Sequence, residues 1–357
     1  SDLTRSAVAA VALVATFGLA AGPATAQDGA TLRVSYETPA PHIKSRTIEV
    51  FKEQLDEISG GWFNVELYPS AQLVGPSEEV AATARGQIEM SAPYFSYLAP
   101  VEPLMNIYQV PLVFDSYPQL WAFLETDDAK ELAATLESRG LQPGGYWFEN
   151  PARVWGKEPI DSLADFSGKK IRVVPSEILQ DAVSTLDAQP TAIPGTELYL
   201  ALQQGVADGA ITAPNYGLAM KFYEVTEATT NLDVFYGGYM VLFNKRWYDG
   251  LPAERQAQLM EAVAAARAFN EENVQKDLAQ IDADLEAVGQ TVIQPSDEMV
   301  ATFREKLAPF VLQRQVQQWV LAEELHLPRI QARLAQPADL AAERRRARDR
   351  GRQPVVP

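Results

Sequence analysis

Between Pro252 and Val288 the chain has no internal glycine or proline, and this run constrains the fold more than any other segment. Val274, Leu278, Ile281, Leu285 and Val288 step by four, three, four and three residues, the period of one helix face, before Gly289 stops the pattern. At 1.5 Å per residue about 36 helical residues span ~54 Å, longer than one small domain is wide. A single rod of that length crosses two lobes; a helical pair kinked near Asn270 fits the same pattern. The total of 357 residues supplies one large or two medium cores at ~150 residues per domain.

Upstream of the rod, strand and helix periods alternate. Leu32–Tyr36 alternates like a strand, and Ile43, Ile48, Phe51, Leu55 and Ile58 recur at near-helical spacing up to Gly60-Gly61. Phe63, Val65 and Leu67 predict a second strand, a short helix follows over about 76–85, and Ile88–Ala92 reads as a buried strand. After the apolar stretch Val110–Phe114, a helix carries Leu120, Trp121, Leu124, Leu132 and Leu136. The pattern then restarts, with strands at 146–148, 153–155 and 171–174, a helix over 177–187 capped by Ser176, and another from Gly195 to Gly205. Repeated β-α units predict an α/β fold with mostly parallel sheets, and two such sets predict two lobes.

The first 26 residues read as an address. Arg5 precedes the apolar run Ala7–Gly22, which leads into Ala24-Thr25-Ala26, the form of a secretory signal peptide cleaved after Ala26. An uncleaved anchor is the competing reading, although ~20 apolar residues are needed to span a bilayer. A periplasmic location is expected. The far end is different again: residues 329–357 hold eight arginines and three acids. They read as a solvated, disordered tail or a docking element.

Charge and motif content narrow the function. Asp and Glu number 47 against 30 Lys and Arg, and residues 1–328 alone carry 44 acids against 22 bases, a balance of −22. So acidic a body repels nucleic acid and anionic membranes. The absence of cysteine removes thiol nucleophiles, zinc–thiolate sites, iron–sulfur clusters and disulfides, and two histidines, His42 and His326, cannot build a histidine-rich metal site. No G-x-S-x-G, P-loop, G-x-G-x-x-G or H-E-x-x-H motif occurs. No catalytic residue, metal or cofactor is called for.

Several segments form an ordered set. They are Gly61-Trp-Phe-Asn-Val-Glu-Leu-Tyr-Pro69 with Ala71-Gln72-Leu73, Gly86-Gln-Ile-Glu-Met90 and the stretch Val110–Phe114. Leu163-Ala-Asp-Phe-Ser-Gly-Lys-Lys-Ile-Arg-Val173, Glu197 to Gly209, and Lys221-Phe-Tyr-Glu-Val225 complete it. In this order and spacing they resemble the periplasmic substrate-binding subunits of tripartite ATP-independent (TRAP) transporters of the DctP-like type, over about 30–325. The resemblance implies two α/β lobes of the periplasmic binding protein fold, joined by hinge strands and a long helix. It further implies a monomeric receptor that closes on a small organic acid and hands it to a TRAP membrane permease. Expected boundaries are 27–149 with about 238–277 for lobe I, and 150–237 with about 278–328 for lobe II.

In that family the arginine of the G-x-K-[IL]-R-V strand holds the ligand carboxylate; here it is Arg172. An arginine fork matches a carboxylate bidentately and keeps its charge, while the competing reading is a strand-edge arginine reaching into solvent. The family's asparagine before proline falls on Thr212, with Pro214-Asn215 two residues late, so either Thr212 or Asn215 fills that place. Arg153 lies one residue from a second arginine used by some members. His42 sits on an expected ligand-facing loop, or caps a helix. Tyr94 and Phe95 follow a strand end, where open α/β sheets place their ligands. Trp147, Phe148, Phe235 and Tyr236 suit either a cleft wall or the core. Two alternatives remain open: another class of exported receptor, and a secreted hydrolase or lyase with an acid/base pair in the cleft.

Overall fold

A computed structural model describes residues 29–324, so the signal-peptide reading of 1–26 and the basic tail at 329–357 lie outside the described residues. Strand β1 (Ala30–Ser35) feeds helix α1 (Ile43–Ser59), whose start is fixed by His42: its Nδ1 accepts the Lys44 amide N–H at 3.1 Å. Gly60 ends α1 in the left-handed region (φ 63°), where a side chain would be strained. β2 (Phe63–Tyr68), α2 (Glu79–Ala84) and β3 (Met90–Ser91) follow. Both α2 and β3 are shorter than their periodicity predicts. A turn closed by Glu78 N–H on the Gly75 carbonyl delays α2, and β1 meets β3 only through Val34 and Ser35.

The expected helix over 120–136 is two helices, α3 (Tyr117–Leu124) and α4 (Asp127–Ala134). Thr126 starts the second by accepting the Ala129 N–H, and Asp127 and Asp128 in its first turn suit the positive end of the helix dipole. Val110–Phe114 forms a turn, with Leu112 at φ 62°. Then come β4 (Leu141–Phe148), β5 (Ala152–Gly156), β6 (Lys170–Val173), α5 (Glu177–Thr185, capped by Ser176) and β7 (Gln189–Ala192). They are followed by α6 (Leu198–Gln203), β8 (Gly209–Thr212), α7 (Pro214–Ala219), β9 (Ala228–Phe235) and β10 (Gly238–Asn244). α8 (Lys245–Asp249), α9 (Ala253–Ala287), β11 (Thr291–Ile293) and α10 (Asp297–Glu324) complete the described chain.

Two sheets result, ordered β2-β1-β3-β10-β4 and β11-β9-β5-β8-β6-β7. They are mixed, which corrects the mostly parallel expectation. β10 runs antiparallel to both β3 and β4, and β5 runs antiparallel to both β8 and β9. The reason lies in the connections. The chain leaves one sheet along β4 and enters the other as β5, then returns along β9 into β10. Two crossings in opposite senses, side by side, put antiparallel neighbours into both sheets.

Helix α9 is continuous; the kinked pair does not form. Its first half buries Leu259, Ala262, Val263 and Ala266 in the core of the first sheet. Its last turns bury Ile281 and Leu285 beside Trp155, Leu198, Leu202 and Phe222 of the second. Asn270, which suggested a break, is fully buried at the middle of the rod. Its Oδ1 accepts the Phe148 N–H (2.7 Å), and its Nδ2 donates to the Phe148 carbonyl and to Thr47 Oγ1 (both 3.0 Å). No helix among the described residues is long and apolar enough to cross a membrane.

Candidate functional site

The strand ends converge on one cavity. From the first lobe it receives Glu37, just beyond β1, Tyr94 beyond β3, Tyr97, and Tyr239 on β10. The second lobe supplies Arg172 on β6, Thr212 ending β8, Tyr216 on α7 and Phe235 ending β9. Glu149 enters from the crossing between β4 and β5.

Arg172 is wholly buried, and burial pulls its guanidinium below the usual arginine range, opposed by nearby tyrosines and Glu149. Its Nε donates to the Ile193 carbonyl at 2.7 Å, which fixes the side chain. Its Nη1 and Nη2 have no hydrogen-bond partner. A buried donor pair of this kind is costly unless something charged and planar meets it. Around it, burial raises the Tyr94, Tyr97, Tyr216 and Tyr239 hydroxyls above the ordinary tyrosine value, so they remain protonated and serve as neutral donors.

The acids of the site differ in their partners. Glu37 pairs with the fully buried Lys44 at 2.5 Å, and Lys44 also sits 4.5 Å from the centre of the Tyr239 ring. Glu149 Oε2 accepts the Tyr239 hydroxyl at 2.5 Å. His42 Nε2 stands 3.3 Å from that same oxygen, a close contact without hydrogen-bond alignment. Behind them, Glu79 has neither carboxyl oxygen hydrogen-bonded, and burial raises it well above the ordinary carboxyl value, Lys44 opposing and Glu37 adding to the shift.

Because Glu79 is raised on folding, the native state holds a proton that the unfolded chain releases above about pH 4.3. Its contribution to stability is therefore present below that pH and is lost as pH rises toward the folded value. Glu79→Gln should remove this slope, so the melting temperature of the variant should gain on that of the wild type as pH rises above about 5 until the native carboxyl ionises. Parallel curves would contradict the assignment.

The structure separates the remaining candidates. Arg172, Thr212, Tyr94 and Phe235 line the cavity. Arg153 does not, since Asp233 (2.8 Å), Asn231 (2.8 Å) and Asp282 (3.1 Å) occupy its guanidinium and tie β5 to β9 and α9. Phe95 stacks on Tyr108 and Trp147 packs on Phe51, both wholly inside the first core, and Phe148 packs there against Tyr117. Tyr236 lies outside the cavity with its ring edge on Tyr117. His42 and Asn215 line an adjacent groove shared with Asp277 and Ile281 of α9, and both amide atoms of Asn215 lack partners. Glu37, Tyr97, Glu149, Tyr216 and Tyr239 were missed from sequence. The available clue was position: Glu149 directly follows β4, and Glu37 lies two residues past the end of β1.

Residues 34–318 match the family model DctP, described as bacterial extracellular solute-binding protein, family 7. The chain is 28% identical over 263 residues to the C4-dicarboxylate-binding periplasmic protein DctP of Rhodobacter capsulatus, covering 73% of this chain and 79% of that one. It is 27% identical over 282 residues to the 2,3-diketo-L-gulonate-binding periplasmic protein YiaO of Escherichia coli K12, covering 78% and 86%. Among solved structures, the sugar acid binding protein DctPAm of Advenella mimigardefordensis, in complex with galactonate, superposes with a TM-score of 0.79 at 21% identity, over 89% of this chain and 99% of that one. A TRAP periplasmic solute binding protein from Desulfovibrio salexigens with bound orotic acid gives 0.78 at 22% identity, over 85% and 99%. A family model spanning most of the chain, together with two mixed sheets meeting at one cavity, places this protein in the DctP family of bacterial extracellular solute-binding proteins.

Proposed function

We propose that the protein is an extracytoplasmic receptor that binds a small organic carboxylate between its lobes and delivers it to a TRAP membrane permease. The observation that carries this reading is the pair of unpartnered, fully buried Arg172 Nη groups in a cavity lined from both lobes. A carboxylate accepts two parallel charge-assisted bonds from such a fork, and offsets the burial of the guanidinium at the same time. Thr212 lines this cavity while Asn215 lines the adjacent groove, which supports Thr212 as the ligand contact beside Arg172. The protein acts as a monomer in the periplasm after loss of its leader, and it releases its ligand chemically unchanged. The crossings at 149–151 and 236–237 serve as the hinge, with the lobes divided near the boundaries expected from the sequence.

A thermal-shift screen of mono-, di- and aromatic carboxylates tests this directly. A ligand that binds only the native state at a hundredfold excess over Kd stabilises it by about 2.7 kcal/mol. A hit should also reduce the radius of gyration in small-angle scattering, as near-rigid lobes close. Failure of every carboxylate to stabilise the protein would refute the reading, and turnover of a bound one would favour an enzyme instead.

A further inference from the structure

The charged groups of the cavity are unequally committed, and this bears on which carboxylate it takes. Lys44 and Glu37 satisfy each other at 2.5 Å. Arg153, the other arginine near β8, is held by two carboxylates outside the cavity. Among the described residues lining the cavity, Arg172 is then the single unpaired cation. Glu149 is the acid without a Lys or Arg partner, and it faces the same space with Tyr239 bonded to one oxygen. The cavity thus presents one unpaired positive fork and one carboxylate without a Lys or Arg partner, whose Oε2 carries the Tyr239 hydroxyl and stands near His42 Nε2.

Resting on the carboxylate-receptor reading above, we infer that the ligand is a monocarboxylate carrying a hydrogen-bond donor or cationic nitrogen: its carboxylate meets Arg172 and its donor meets Glu149. A dicarboxylate is disfavoured. Its second carboxylate has no free cation to reach and is forced against Glu149 or the Glu37 of an already neutral pair, in a setting where like charges repel strongly. An N–H or hydroxyl in the same place gives Glu149 a donor and leaves one net buried negative charge where a dicarboxylate would leave two, and an ammonium there balances the charge outright. A site built to receive a donor rejects an isostere without one far more strongly than a merely apolar wall does. The chain therefore diverges in specificity from relatives named for C4-dicarboxylates.

Length-matched pairs isolate this charge effect: malonate with malonamate, succinate with succinamate, and glutarate with glutaramate. Each amide has the shape of its diacid but offers N–H in place of one carboxylate. In isothermal titration the best-binding length should favour the amide at least tenfold. Glu149→Gln, which keeps the acceptor and removes the charge, should shrink that preference at least threefold while retaining an unaltered circular dichroism spectrum. A diacid that binds as tightly as its amide in the wild type overturns this inference and leaves the receptor reading standing. An unchanged preference in a folded Glu149→Gln also overturns it. If none of the six, and no member of the wider carboxylate panel, binds, the receptor reading falls and this inference falls with it.

Discussion

Arg172→Ala is expected to bind the best carboxylate from the screen roughly 30- to several-thousandfold more weakly than the wild type in isothermal titration. Removing one partner of a desolvated, hydrogen-bonded charge pair costs about 2–5 kcal/mol, and each ~1.4 kcal/mol is tenfold in Kd. Arg172→Lys keeps the charge but loses the fork, and should also bind poorly. The unliganded fold should survive. The one structural bond of the side chain is Nε to the Ile193 carbonyl, and its Nη groups contribute desolvation without pairing. Arg172→Met, which fills much of the same volume without the charge, should melt no lower than the wild type. Wild-type affinity in Arg172→Ala would eliminate the anchor. Lost affinity with a collapsed melting temperature in Arg172→Met would make the residue structural.

The second large effect belongs to Asn270. Asn270→Leu is nearly isosteric, yet it strips the Phe148 N–H and carbonyl of their partner at the centre of the protein. A buried polar backbone group left unsatisfied costs about 1–3 kcal/mol, so the two together predict a loss of about 2–6 kcal/mol in urea unfolding. Function should suffer too, because Phe148 is followed directly by Glu149 in the cavity wall. A loss below about 1 kcal/mol would mean that α9 and β4 hold together without this asparagine.

How much of this was legible depended on whether the cue was local. The long helix was visible because thirty-odd residues without glycine or proline need no tertiary context. What Asn270 does there was invisible, since a polar residue on an apolar helix face reads as a flaw until its strand partner is known. Helix α10 went unread, although Met299, Phe303, Leu307 and Phe310 recur at helical spacing and are all buried. Pro309 inside the helix concealed it. The resemblance pointed to Arg172, and the structure puts that residue in the cavity wall. Arg153 was not legible, because its fate turns on Asp233 and Asp282, residues 80 and 129 positions away. The aromatic residues defeated prediction for a related reason. Tyr94 and Phe95 follow the end of β3, and Tyr236 follows the end of β9, so where the chain turns out of the strand decides which ring meets the cavity, and that turn depends on distant neighbours.

The paired crossings also govern the order in which this protein is able to fold. β10, carried by residues 238–244, occupies the position between β3 and β4, and β9 is in turn flanked by β11 at 291–293. Neither sheet is therefore complete until late segments have emerged from the ribosome. A chain elongating at about 5–20 residues per second leaves β4 waiting several seconds for its neighbour. The early strands have no finished sheet to join during that time, and closing such sequence-distant pairings is intrinsically slow. A topology that postpones its own completion keeps the nascent chain open for longer than one whose sheets close from sequence neighbours.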